Sequence, residues 1–126
     1  MSSLLNQARD PEQIRGRHRQ VSVVRSGSGI SGIRYVVPNG KTFFINPNGY
    51  PHGDPKVWSK WPIEKRLSSG HSTHYFGDGY ICYASDPNRL ELYEILYLID
   101  GWARAYERYL NGEPFAPNAK TAFKRR

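Results

Sequence analysis

No second cysteine stands anywhere in this sequence to pair with Cys82, so no disulfide within the chain can staple the fold. Stability must come from a buried core, and the thiol is left for packing or for chemistry. Also missing is any apolar run near the ~20 residues that a membrane span needs, and the polar opening MSSLLNQARD lacks the apolar centre of a secretory signal. The expectation is a cytoplasmic protein without a membrane partner. Negative charge is scarce as well: 11 acidic residues stand against 18 basic ones, for a net charge of +7. The surplus is densest at RGRHR (15–19) and at the closing KRR (124–126). These runs suit phosphates or an acidic protein face, and the plainer reading is a pair of solvated ends.

Aromatic residues, by contrast, are plentiful. Nine Tyr, five Phe and three Trp in 126 residues concentrate burial in a few large side chains, which favours one folded domain over a disordered chain. The domain spans 1–126, with an N-terminal arm or helix over 1–18 and a basic tail over 113–126. Asp10-Pro11 reads as a helix start within that arm. QVSVVRS, GIRYVVP and KTFFINP are rich in β-branched and aromatic residues and read as an antiparallel meander, joined by GSGISG and by a turn at Pro38-Asn39-Gly40. No Gly-Lys-Ser/Thr follows GSGISG, so it reads as a hairpin loop and not as a phosphate cradle.

The segment from 46 to 62 is dense in Pro and Gly and predicts an irregular loop. Tyr50, Trp58 and Trp61 within it predict that large side chains pin the loop to the core, with an aromatic ligand groove as the alternative. The strongest helix begins near Asp86-Pro87-Asn88 and runs to about Leu110. Its apolar face comprises Leu92, Ile95, Leu96, Ile99, Trp102, Ala103, Tyr106 and Leu110, at steps of three and four. Asp86 or Asn88 would cap it, Glu91 would complete a capping box with Asn88, and Asn111-Gly112 with Pro114 would end it. The pattern as a whole predicts an α+β fold: arm or helix, antiparallel meander, a loop carrying the cysteine, and a long C-terminal helix.

The stretch THYFGDGYICYASDPN (73–88) carries the thiol. Three chemistries fit it on local grounds. Cys82 can be a small buried hydrophobe with His74 as a hydrogen-bonded structural residue. His71, His74, Asp78 and Cys82 are all residue types that bind zinc, though with one cysteine and no familiar ligand spacing. Or Cys82 is a nucleophile, its thiolate favoured by the amino end of the following helix and by His74, with the Asp78-Gly79 turn folding the segment back upon the sulfur. A full protease arrangement of paired His, orienting group and cleft is not marked out. His18, His52 and His71 read as solvated.

Three features, in order, resemble the ubiquitin-conjugating enzyme fold in its divergent bacterial form, over residues from about 20 to 112. Tyr50-Pro51-His52-Gly53-Asp54-Pro55-Lys56-Val57 resembles the family's YPxxPPxV turn, with Asp54 in place of the first of the paired prolines. His74-Tyr75-Phe76-Gly77-Asp78-Gly79-Tyr80-Ile81-Cys82-Tyr83 resembles the bacterial H-x-x-x-D-G-x-x-C pattern, whose cysteine carries a thioester. Trp102, Tyr106, Glu107 and Asn111-Gly112-Glu113 resemble the W-x-x-x-YE…G segment that follows the active site. Two departures stand out. No His-Pro-Asn tripeptide precedes Cys82, which leaves the oxyanion-stabilising group unassigned, and the sequence carries no further C-terminal helices beyond the long one.

The resemblance implies that Cys82 accepts an activated C-terminal carboxylate as a thioester and passes it to an amine, usually lysine. His74 would organise the active-site loop or act as a base, and Asp78 would orient the incoming amine or hold the Asp-Gly turn. No metal or nucleotide cofactor is implied at this protein, since ATP would be used by a separate activating enzyme. It also implies a setting in CBASS anti-phage defence, with the C-terminus of a cGAS-like nucleotidyltransferase, or else a ubiquitin-like protein, as the acyl donor. Two alternatives come from other classes: a non-catalytic binding module of the same fold, and a basic nucleic-acid-binding domain suggested by charge and aromatics. Nucleic acid ranks behind a protein partner in this reading.

Overall fold

The computed structural model describes residues 3–25, 27, 29, 31–62, 80–81, 83–84 and 86–115. A short helix, α1 (Leu4–Ala8), is followed by β1 (Val21–Arg25), β2 (Ser31–Val36), β3 (Thr42–Asn46), β4 (Lys56–Ser59), β5 (Tyr80–Ile81) and a long helix, α2 (Leu92–Leu110). The strands form one antiparallel sheet in the order β1-β2-β3-β4-β5. The α+β class, the meander and the long C-terminal helix are therefore as expected. No helix among the described residues is long and apolar enough to cross a membrane.

Period-two alternation assigns the faces of the sheet. Val23, Ile33, Ile45, Val57 and Ile81 lie in register across all five strands. Of these, Ile33, Ile45, Val57 and Ile81 are 2% exposed or less. Val21, Tyr35 and Phe43 make a second buried row. Against this face lies α2, whose steps of three and four bury Leu92, Ile95, Leu96, Ile99, Trp102 and Tyr106. Phe43 meets Trp102 edge to face at 6.0 Å, and Trp61 meets Tyr106 at 4.7 Å. Fully burying side chains of this size contributes about 1.5–3 kcal/mol each. Leu110, assigned to the same helical face by its spacing, is 39% exposed.

Three expectations are corrected. The segment 46–62 is not wholly irregular, because Lys56–Ser59 pairs with β3 as β4. Its prolines flank that strand and so remove no hydrogen bond from the ladder. The long helix starts later than expected: Pro87–Arg89 forms a 3₁₀ turn, Leu90 is extended, and Glu91 is the N-cap. The capping box is Glu91 with Glu94, whose side chain accepts from the Glu91 amide at 3.0 Å, and not Asn88 with Glu91. At the N-terminus the helix is Leu4–Ala8, capped by the Ser3 hydroxyl, which accepts from the Asn6 amide at 3.1 Å. Asp10 instead tightens the turns after it, accepting from the Glu12 amide and the Gln13 side chain.

Tyr50 does pin the loop. It is 8% exposed, and its hydroxyl donates to the Leu90 carbonyl at 2.6 Å. The Tyr50-Pro51 peptide is cis. From the other side Gln7, fully buried, accepts from the Leu92 amide at 2.7 Å, so that α1 satisfies one of the donors that every helix start leaves open. The Pro38-Asn39-Gly40 turn closes as expected: Gly40 takes φ +90°, and Asn39 Oδ1 accepts from the Lys41 amide at 3.0 Å.

Candidate functional site

Cys82, His74 and Asp78, together with His71, lie outside the described residues, and so does the Asp78-Gly79 turn. What surrounds them in sequence is described. Tyr80 and Ile81 pair with Trp58 and Val57, extending the sheet up to the residue before the cysteine. Ile81 and Tyr83, on either side of Cys82 in the chain, are 2% and 9% exposed. The Tyr83 hydroxyl donates to the Pro55 carbonyl at 2.6 Å, and Asn88 Nδ2 donates to the Pro51 carbonyl at 3.3 Å. Both bonds join the chain around the cysteine to the Tyr50–Pro55 loop. His52, within that loop, is exposed, in keeping with its reading as a solvated residue. Among the described residues no three His, Cys, Asp or Glu stand together as a metal site.

A polar cluster that sequence reasoning did not identify joins the N-terminal arm to the core. The Tyr35 hydroxyl donates to Asp100 Oδ1 at 2.7 Å, Arg17 Nη2 donates to Asp100 Oδ2 at 2.9 Å, and Arg17 Nε donates to the Tyr35 hydroxyl at 3.1 Å. Burial holds the Asp100 carboxyl above the usual carboxylate range, although the Tyr35 hydrogen bond and the Arg17 charge both pull it down. Burial, then the Asp100 charge, pushes the Tyr35 phenol well above its ordinary value. RGRHR is thus not simply a solvated end: Arg17 is paired inward, and the Arg15 guanidinium lies 4.1 Å from the Tyr93 ring centre. A satisfied, closed triad of this kind positions segments and offers no open valence to a substrate.

The opposite face of the sheet is different. One row of residues in register crosses all five strands: Ser22, Arg34, Phe44, Trp58 and Tyr80. The three aromatic residues are half-buried and Arg34 is exposed. Trp58 and Tyr80 meet edge to face at 5.8 Å, Lys56 stands 4.9 Å from the Tyr80 ring centre, and Lys60 stands 5.4 Å from that of Phe44. Beside the row, Val24, Arg25, Gly32, Arg34, Asn46 and Trp58 line a hollow of about 530 Å³. Trp58 therefore faces away from the core, which differs from its expected role as a loop pin, while Tyr50 and Trp61 do pack inward. The signal available in sequence was that TFFIN and KVWS carry large apolar residues at consecutive positions, which marks a strand apolar on both faces.

No family model, no curated protein and no solved structure matches the chain.

Proposed function

We propose that the protein is a ubiquitin-conjugating-like acyl transferase that works through Cys82. The observation that carries this reading is the order of the elements around the cysteine. A meander runs into the Tyr50–Pro55 loop, a short strand ends at Ile81, and a 19-residue helix follows. That is the order in which the three features of the resemblance stand. The two hydrogen bonds from Tyr83 and Asn88 to the loop add support, because a nucleophile needs neighbours held in place.

In this mechanism the Cys82 thiolate attacks an acyl group already activated as a thioester on a separate enzyme, displacing that enzyme's thiol. A lysine amine then attacks the Cys82 thioester, forms the isopeptide bond, releases the Cys82 thiol and gives up a proton. His74 organises the loop or takes that proton, and Asp78 holds the Asp-Gly turn or orients the amine. The donor is a protein C-terminus, that of a cGAS-like nucleotidyltransferase or of a ubiquitin-like protein, and the setting is bacterial anti-phage defence.

The test is incubation with the genomically neighbouring proteins, including any activating enzyme, and ATP, followed by non-reducing gels and intact mass measurement. A thiol-sensitive adduct on Cys82 is expected. It should be absent from Cys82→Ala and become a thiol-resistant oxyester in Cys82→Ser. Partner activity that persists unchanged in Cys82→Ala, with no adduct, replaces this reading with a non-catalytic binding module.

A further inference from the structure

The outer face of the sheet is unlike the surface of a strand merely turned to solvent. None of the five strands contains an aspartate or glutamate. In the sequence no acidic residue occurs from 13 to 53, between Glu12 and Asp54. The cations Arg34, Lys56 and Lys60 therefore border Phe44, Trp58 and Tyr80 with no carboxylate on the strands to neutralise them.

Residues directly opposed on neighbouring antiparallel strands hold their side chains about 5 Å apart. Phe44, Trp58 and Tyr80 are opposed in this way across β3, β4 and β5, so they form one aromatic strip, within which Trp58 and Tyr80 meet edge to face. The hollow beside the strip, about 530 Å³, lies within the ~300–1,000 Å³ usual for small-ligand sites. Gly32 has no side chain to fill it, and a Cβ there would stand 3.0 Å from the Ile45 carbonyl oxygen.

From these observations the geometry points to single-stranded nucleic acid as the occupant of this face. Bases stack on Phe44 and Trp58, and phosphates meet Arg34, Lys56 and Lys60. Flat π-faces bordered by an unopposed positive rim match a polymer that alternates flat bases with negative phosphates. A duplex hides its base faces and would gain only the charge. An acidic protein segment would likewise use the rim but would have no need of the rings. The inference does not depend on the proposed chemistry of Cys82.

Fluorescence anisotropy with labelled 20-nucleotide oligo(dT) and oligo(U) tests it, with a duplex of the same length and a polyglutamate peptide as the other probes. Single strands should bind at low salt, with log K falling against log salt at a slope of about −2, from roughly −0.7 for each of three cations. Trp58→Ala should weaken binding about tenfold or more with little change in that slope. Trp58→Phe, which keeps a flat ring, should restore most of the affinity and controls for folding. Arg34→Glu, at an exposed position, should reduce affinity and flatten the slope, whereas Cys82→Ala should change neither. The inference is overturned by absence of single-strand binding at low salt, or by binding that ignores Trp58→Ala. Loss of binding on charge reversal of Lys124, Arg125 and Arg126 alone, or tighter binding of duplex or polyglutamate, also overturns it.

Discussion

Phe43 and Phe44 are neighbours in the chain, and they meet different surroundings. Phe43 is fully buried against Trp102, whereas Phe44 is half-buried on a face bordered by lysines. The same alternation runs through β2 and β3, so one sheet presents two faces of opposite need. The inner face is covered by α2 and is complete within the protein. The outer face carries aromatic area that a purely structural sheet would not require there. The difference separates what holds the molecule together from what it offers to others.

The largest expected effect comes from breaking the inner face. Phe43→Ala should cost about 3–5 kcal/mol in urea unfolding, against about 1 kcal/mol or less for Phe44→Ala, whose ring is already partly in water. Equal losses for the pair would show that the two faces are not distinct. Next comes the triad behind the inner face. Asp100→Ala strands Tyr35 and a largely buried Arg17 and should cost about 2–4 kcal/mol, with Asp100→Asn milder because it still accepts from Tyr35.

The smallest effect is a pH dependence that sharpens the same contrast. The Tyr35 phenol is raised above its ordinary value of 10, so the native state keeps this proton where the unfolded chain loses it. Its contribution is full below pH 10 and falls as the pH climbs further. Asp100 is raised too, so it has the same sign: its share is present in acid and does not drive acid unfolding. Tyr35→Phe should flatten the alkaline limb of a stability-against-pH curve, while substitution of Trp58 on the outer face should leave that limb unchanged.

Much of this architecture was legible in residue order. The β-branched and aromatic residues of GIRYV and TFFIN gave away strands, and the three-and-four spacing from Leu92 to Tyr106 gave away the helix. β4 was hidden because Pro55 and Pro62 bracket only four paired residues. The helix start was hidden because Pro87 favours a turn without deciding between 3₁₀ and α. Asp100, on the apolar side of α2 four residues after Leu96, was the sign of a buried polar partner. Nothing local could identify Arg17, 83 residues away, as that partner. The proposal for Cys82 rests on the sequence pattern, since His74, Asp78 and Cys82 lie outside the described residues.

The bond from the Leu92 amide to Gln7 has a consequence for motion. A donor held by a distant helix exchanges its hydrogen for deuterium only when that helix lifts or when the whole domain opens. The Leu92 amide should therefore exchange in step with α1 and not with the second turn of its own helix. Two segments 85 residues apart in the chain would then loosen as one unit.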